Sequence, residues 1–179
     1  MIGLLCSRIY QAFIVFMLTR GLEDGFLGFD LKTKTATICD SGDTMTNFSM
    51  LDAVGQATLG ILAHPAETAN RYVFMNSFRA TQNDILRALE TVTGEKWNIK
   101  KTTCEDESRI GREKMEKGDW NGVGHAIMGA SYSGGKYDFA EGRELDNNLL
   151  GVPHLEDLEN IVELIVSGKQ KELGQEQRS

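Results

Sequence analysis

The residue types that could do chemistry are thinly scattered along this chain. His64, His125 and His154 stand far apart, without the H-E-x-x-H or similar spacing that gathers imidazoles around a metal. Cys6, Cys39 and Cys104 have neither C-x-x-C spacing nor the density of a disulfide framework, which argues against zinc and a disulfide scaffold and suits a reducing, cytoplasmic setting. The glycine clusters GVG at 122–124 and SGG at 133–135 come nearest to a nucleotide loop. Neither follows a predicted strand, and neither has the spacing that wraps backbone amides around phosphate, so they read as loop flexibility and close packing. A serine nucleophile on a strained elbow needs G-x-S-x-G, which is not present. Tyr132 and Lys136 have Tyr-x-x-x-Lys spacing, but they sit in a glycine-rich loop instead of sharing a helix face.

Aromatic residues offer a second kind of site. Phe26, Phe29, Phe48, Trp120, Tyr132, Tyr137 and Phe139 could line one cavity and hold a planar organic substrate, or they could be core and lid packing. Phe26, Phe29 and Phe48 are the substrate-binding candidates, because they flank loops between strands, where sites in α/β folds lie. The residues themselves assign no catalytic, cofactor-binding or metal-binding position.

The elements that would position such a site follow from periodicity and punctuation. GLEDGFLGFD at 21–30 sets glycines among large apolar residues and reads as a loop or a broken helix. KTKTATICD alternates as a half-buried strand with Ala36 and Ile38 on one face, and DSGD supplies the turn. Ser49 offers an N-cap with Asp52 three residues on, and Leu51, Val54, Ile61 and Leu62 form a helical stripe closed by Pro65. YVFM at 72–75 is a continuous apolar run, the signature of a strand covered on both faces in a parallel sheet. Thr81 and Asp84 cap the next helix, Ile85, Leu86, Leu89 and Val92 make its buried stripe, and Gly94 stops it. In KWNIKK, Trp97 and Ile99 share a face. Residues 105–117 read as an exposed charged helix in which Ile110 and Met115 are almost the only large apolar residues. Asp119 opens a helix with Trp120, Val123 and Ile127 on one face. After Pro153 a last helix carries Leu155, Leu158, Ile161, Val162 and Ile165, and Gly168 ends it.

A chain of 179 residues with 41% apolar and 25% charged residues has the composition of a folded globular protein. Its formal charge of −7, with no basic run, leaves no electrostatic footprint for nucleic acid. Residues 1–21 are the most apolar part, but Ser7, Arg8 and Gln11 interrupt them short of the roughly 20 apolar residues a membrane span needs. They read as a buried element, and membrane contact is not expected. Residues 169–179 are polar, lack apolar anchors and read as a mobile tail.

In order and spacing, the segment from GFLGFDLKTKTATICD through TNFSMLDAVGQATLGILAHPAETANRYVFMNSFRATQNDILRALETVTGEKW resembles the C-terminal half of fungal NmrA-like proteins. These form the isoflavone-reductase-like branch of the atypical short-chain dehydrogenases. The resemblance runs on through GREKMEKGDW and LDNNLLGVPHLEDLENIVELIVSGK, so the NmrA-like region is 22–168. It implies an α/β fold: the C-terminal, substrate-side portion of an NAD(P)-binding Rossmann-type fold. The family's G-x-x-G-x-x-G loop for NADP(H) and its catalytic lysine lie in an N-terminal half that has no counterpart in this sequence. No catalytic or cofactor residue is therefore carried over, and the chain is expected to be a truncated gene product or a natural fragment. The implied activity is NAD(P)-dependent oxidoreduction of a small secondary-metabolite-like molecule. The alternatives are a dinucleotide-sensing regulator without redox activity, or an inactive fragment. Without a partner the 72–75 strand would leave an open sheet edge through which the chain could form a homo-oligomer.

Overall fold

The structure, a computed structural model, describes residues 27–134, 138–155 and 157–167. The readings placed on residues 1–26, on Gly135, Lys136 and Tyr137, and on Gly168 and the tail lie outside these residues.

The alternating TATIC becomes the central strand of a small sheet. Strand β1 (Phe29–Asp30) pairs antiparallel with β2 (Thr35–Cys39), which pairs parallel with β5 (Asn98–Thr102). Successive side chains of β2 point to opposite faces. Ala36 and Ile38 are fully buried in the main core, whereas Thr35 and Thr37 are half-buried on the other face. Two further strands, β3 (Thr46–Phe48) and β4 (Phe78–Ala80), form a separate antiparallel pair in which Phe48 stacks on Phe78 at 5.2 Å.

The helix after β4, α3 (Gln82–Thr93), follows its sequence closely. Thr81 and Asp84 form a reciprocal capping box, and Gly94 ends the helix in the left-handed conformation at φ 67°. Ile85 and Leu89 are fully buried, each contributing about 1.5–3 kcal/mol by burial. They pack with Ile161, Val162 and Ile165 of α7 (Leu158–Val166), making the layer on the Ala36–Ile38 face. The opposite layer is a pair of helices, α4 (Cys104–Glu116) and α5 (Gly122–Ser131). Cys39, Cys104, Met128 and Tyr132 form the small core that joins these helices to the sheet.

Five expectations change. Residues 72–75 are not a buried strand. Tyr72 is 74% exposed, and the backbone around Phe74 and Asn76 bonds to a distant turn instead of a sheet: Asp146 accepts from Phe74 N and donates its own N–H to Phe74 O, while Asn147 bridges Asn76 N and O. Helix α1 (Leu51–Ala63) takes Met50, not Ser49, as N-cap; Ser49 is buried, and its hydroxyl donates to Met75 Sδ. Its buried stripe is the small residues Ala53 and Ala57, with Gly60 against Leu150 of α6 (Asn147–Leu150), and Leu59 and Leu62 face outward. That helix does end before Pro65, which opens the single turn α2 (Pro65–Thr68). Ile99 is half exposed while Trp97 is buried, because β5 is an outer strand of the three-stranded sheet. Finally, the inner face of α5 carries glycines, and Trp120 is 82% exposed.

Those glycines set the spacing of α4 against α5. A Cβ on Gly111 would lie 2.6 Å from the backbone N of Ala126, and one on Gly122 would lie 2.5 Å from Gly111 O. Gly111→Ala should therefore force the two helices apart and cost about 1–3 kcal/mol, read as a lower urea midpoint with unchanged m-value.

The clasp at Asp146 is acid-sensitive. Burial raises its carboxyl pKa, but hydrogen bonds from the Arg71 guanidinium and Phe74 N, together with the Arg71 charge, outweigh burial and hold it below the usual value. A carboxyl lowered on folding contributes stability above its unfolded pKa of about 3.9, and that contribution is lost as pH falls through the folded value. Asp146→Asn should flatten the loss of stability between about pH 5 and pH 3, measured by urea unfolding across that window.

Candidate active-site cleft

The sheet and the α4–α5 pair meet at Cys39, Met128 and Tyr132 and diverge toward the start of β2. The wedge between them is an open cleft of about 540 Å³. Its sheet wall carries Thr35, Thr37 and Lys100, with Asp30 and Thr33 from the β1–β2 turn; its helix wall carries Glu107, Asn121, His125 and Met128. The side chains on the outer face of β2 therefore line a polar surface, and the inner face lines the core.

Three titratable groups form a chain on the helix wall. Glu107 is 5% exposed, accepts from Thr102 Oγ1 at 2.9 Å and lies 2.6 Å from His125 Nδ1. Lys114 Nζ lies 3.0 Å from His125 Nε2. An ammonium has donors only, so Nε2 is the acceptor and the ring proton of neutral His125 sits on Nδ1, where it donates to Glu107. The arrangement is that of an oriented imidazole, with a carboxylate behind it and a cation at its basic nitrogen.

The inner end of the cleft is chemically quiet. Burial pushes the Cys39 thiol pKa up, helped by the neighbouring Cys104, and burial raises that of Cys104 to about 11. The Tyr132 phenol pKa is raised as well, first by burial, and its hydroxyl has no hydrogen-bond partner among the described residues. Cys39 and Cys104, distant in sequence, thus come together as neutral thiols. Among the described residues no group of three or more His, Cys, Asp or Glu side chains could hold a metal.

Of the substrate candidates, Phe26 lies outside the described residues. Phe29 is fully buried, edge-on to Trp97 at 6.4 Å, and Phe48 is 3% exposed against Phe78. Neither belongs to the walls of the cleft. The Glu107–His125–Lys114 chain was not visible as spacing, because Glu107 and His125 lie on different helices. The nearest sequence signal was an acidic side chain on the inward edge of a helix that otherwise reads as solvated.

A second, wider groove of about 730 Å³ is lined by Arg79, Arg87 and Lys96. These cations are paired with Asp138, Asp84 and Glu90 respectively, which leaves little positive charge for an anion. A dinucleotide does not fit the strand-to-helix junctions either. α1, α3 and α4 each carry acid in the first turn, with Glu105, Asp106 and Glu107 together on α4, and the side chains of Thr81 and Thr103 already cap α3 and α4. Pyrophosphate needs open amides and a positive helix end. The capped, acidic starts of α3 and α4 provide neither. Gly122 and Gly124, the glycines that most suggested a loop, are buried at the start of α5, with Gly122 against α4.

Comparison with known proteins agrees with this α/β architecture. No protein-family model matches the chain. It is 33% identical over 110 residues, 62% of its length, to the oxidoreductase poxI of Penicillium oxalicum, and 30% identical over 148 residues, 80% of its length, to the oxidoreductase aprR of Aspergillus flavus. It spans only 35% and 48% of those relatives. In fold it is similar to a nucleoside-diphosphate-sugar epimerase of Staphylococcus aureus, with a TM-score of 0.53 and 16% identity over 82% of this chain and 47% of that one. The chain is thus similar to fungal oxidoreductases and shares an α/β fold with part of an epimerase. Among the described residues no helix is long and apolar enough to cross a membrane.

Glu107→Ala would leave the Thr102 hydroxyl and the His125 Nδ1 proton without their acceptor. It should cost about 1–3 kcal/mol in urea unfolding and shift the His125 ring-nitrogen NMR signals toward a mixture of tautomers.

Proposed function

We propose that residues 27–167 form the substrate-side region of an NmrA-like, NAD(P)-dependent oxidoreductase acting on a small organic molecule in the cytoplasm. The observation that carries this reading is the division of features. The similarity to two fungal oxidoreductases falls on a region with a polar cleft and an oriented imidazole, yet with acidic, self-capped helix ends where a pyrophosphate would have to bind. In this reading NADP(H) is held by residues other than those described, and the region shapes and closes the substrate side. Phe29 and Phe48 then act from the core, backing the substrate-side layer. Self-association through an edge of the three-stranded sheet would use β1 or β5, and Lys100 and Lys101 on β5 put charge where a second strand would pair.

The test has two arms. A thermal-shift titration of the chain with NADPH should leave its transition unmoved; a gain of about 2.7 kcal/mol at a hundredfold excess over Kd would overturn the division. In the second arm, these residues replace the 148 matched residues of the Aspergillus flavus oxidoreductase. The folded chimera should keep its parent's dinucleotide affinity while its substrate preference changes. A folded chimera that has lost dinucleotide binding would overturn the assignment.

A further inference from the structure

Cys39 and Cys104 are far apart in sequence, and the fold brings them into one small core as free thiols. Strand register explains the meeting. Cys39 closes β2 directly across the parallel ladder from Thr102, the last residue of β5, and Cys104 follows two residues later as the first residue of α4. Asp40 N donates to Thr102 O at 2.9 Å and holds the end of the ladder shut. Each thiol thereby lies within hydrogen-bonding reach of the other, walled by Met128 and Tyr132. Neighbouring strands run about 4.7–4.9 Å apart, and a disulfide spans Cα separations of about 4.4–6.8 Å. The backbone at this joint is therefore on the scale that one bridge can cross.

With the joint closed, the pair does not react. Cys39 is 2% exposed and Cys104 6%, and burial keeps both protonated, whereas exchange needs a thiolate and a path for the incoming sulfur. The joint nevertheless carries a weakness of its own. The Tyr132 hydroxyl is buried beside the thiols with no partner among the described residues, a penalty that opening relieves because water then supplies one. When the first turn of α4 lifts, Cys104, the less buried of the two, meets solvent first. A group joined to its sulfur does not fit back into a close-packed core, so reclosure favours the exchange that expels it.

We propose that Cys39 and Cys104 are an oxidation site, where a small-molecule disulfide such as oxidised glutathione converts the two thiols into one intramolecular disulfide across the closed end of the cleft. The Cys104 thiolate attacks one sulfur of the reagent, forming a mixed disulfide and releasing a first thiolate. Cys39 then loses its proton and attacks the Cys104 sulfur, releasing the second. Two protein thiols are oxidised, one reagent disulfide is reduced to two thiols, and the two protons end on the departing sulfurs. The bridge fastens the strand that carries Thr37 to the helix that carries Glu107, so the sheet wall and the helix wall of the cleft become one covalent piece. No dinucleotide or substrate takes part, and the inference stands apart from the oxidoreductase reading. A bridge of this kind in a reducing setting is a transient, redox-sensing one.

The test incubates the 179-residue chain with oxidised glutathione in the absence of denaturant, quenches in acid, alkylates the remaining thiols and maps the peptides by mass. The expected product joins the Cys39 and Cys104 peptides with the loss of two hydrogens, whatever Cys6 carries. Because the bridge closes a loop of more than sixty residues, the oxidised chain should unfold at a higher urea midpoint than the reduced one, and dithiothreitol should restore the original value. Cys39→Ser, shown to be folded by circular dichroism, should stop with one glutathione on Cys104. If that variant does not fold, the peptide map of the unaltered chain still decides. A glutathione that stays on Cys39 or Cys104 in the native chain, a bridge to Cys6 instead, thiols left free under conditions that oxidise the denatured chain, or a Cys39–Cys104 link that forms only in denaturing urea would each overturn the proposal.

Discussion

Much of the molecule hangs on one buried amide. Gln82, fully buried in the first turn of α3, accepts from Cys39 N at 2.8 Å and donates to Thr37 O and Leu27 O. Orphaned backbone groups at these positions would each cost about 1–3 kcal/mol. The amide satisfies them together and so fixes helix, central strand and incoming chain in one register. Gly28, at φ 88°, belongs to the same arrangement: a Cβ there would lie 2.4 Å from Thr37 O and 3.2 Å from Gln82 Nε2. The next residue, Asn83, ties the turn after β2 through Ser41 O and Asp43. Because β2 is held rigidly from its core side, the hydroxyl-bearing outer face has a defined position from which to wall the cleft.

What could be read in the sequence was what neighbours in sequence decide. The Thr81–Asp84 box, the Gly94 stop, the stripe of α3 and the alternation of β2 are local, and each appears where its residues indicate. The failures share a cause. Residues 72–75 have the composition of a covered strand, but the backbone of Phe74 bonds to Asp146 and that of the adjoining Asn76 to Asn147, more than seventy residues away, and no periodicity announces such a clasp. Of the expected stripe of helix α1, Ile61 does pack against the cluster, but the closest contact there is made by Ala53, Ala57 and Gly60, whose small size permits close approach and whose hydropathy is weak. Large apolar residues mark a buried face only where the neighbour leaves them room.

The cleft was illegible for a related reason. Residues 105–117 read as a solvated face because charge dominates them, yet Glu107 points inward and finds Thr102 and His125. Close packing through Gly111, Gly122 and Gly129 brings α5 near enough for that pairing. The GVG glycines, read from the sequence as flexibility and close packing and not as a phosphate loop, include Gly122 at the helix contact, and the helix contact assembles the charged groups.

The two thiols at the closed end of the wedge have a use of their own. With the Cys104 pKa near 11, only about one molecule in ten thousand carries its thiolate at neutral pH, and Cys39 is held still more firmly protonated. In the native chain these sulfurs should be almost inert to alkylating reagents, and they regain ordinary reactivity only when the end of β2 parts from the first turn of α4. Their labelling rate is therefore a clock for that separation. It reports how often the layers come apart at the small core where the sheet meets both outer helices.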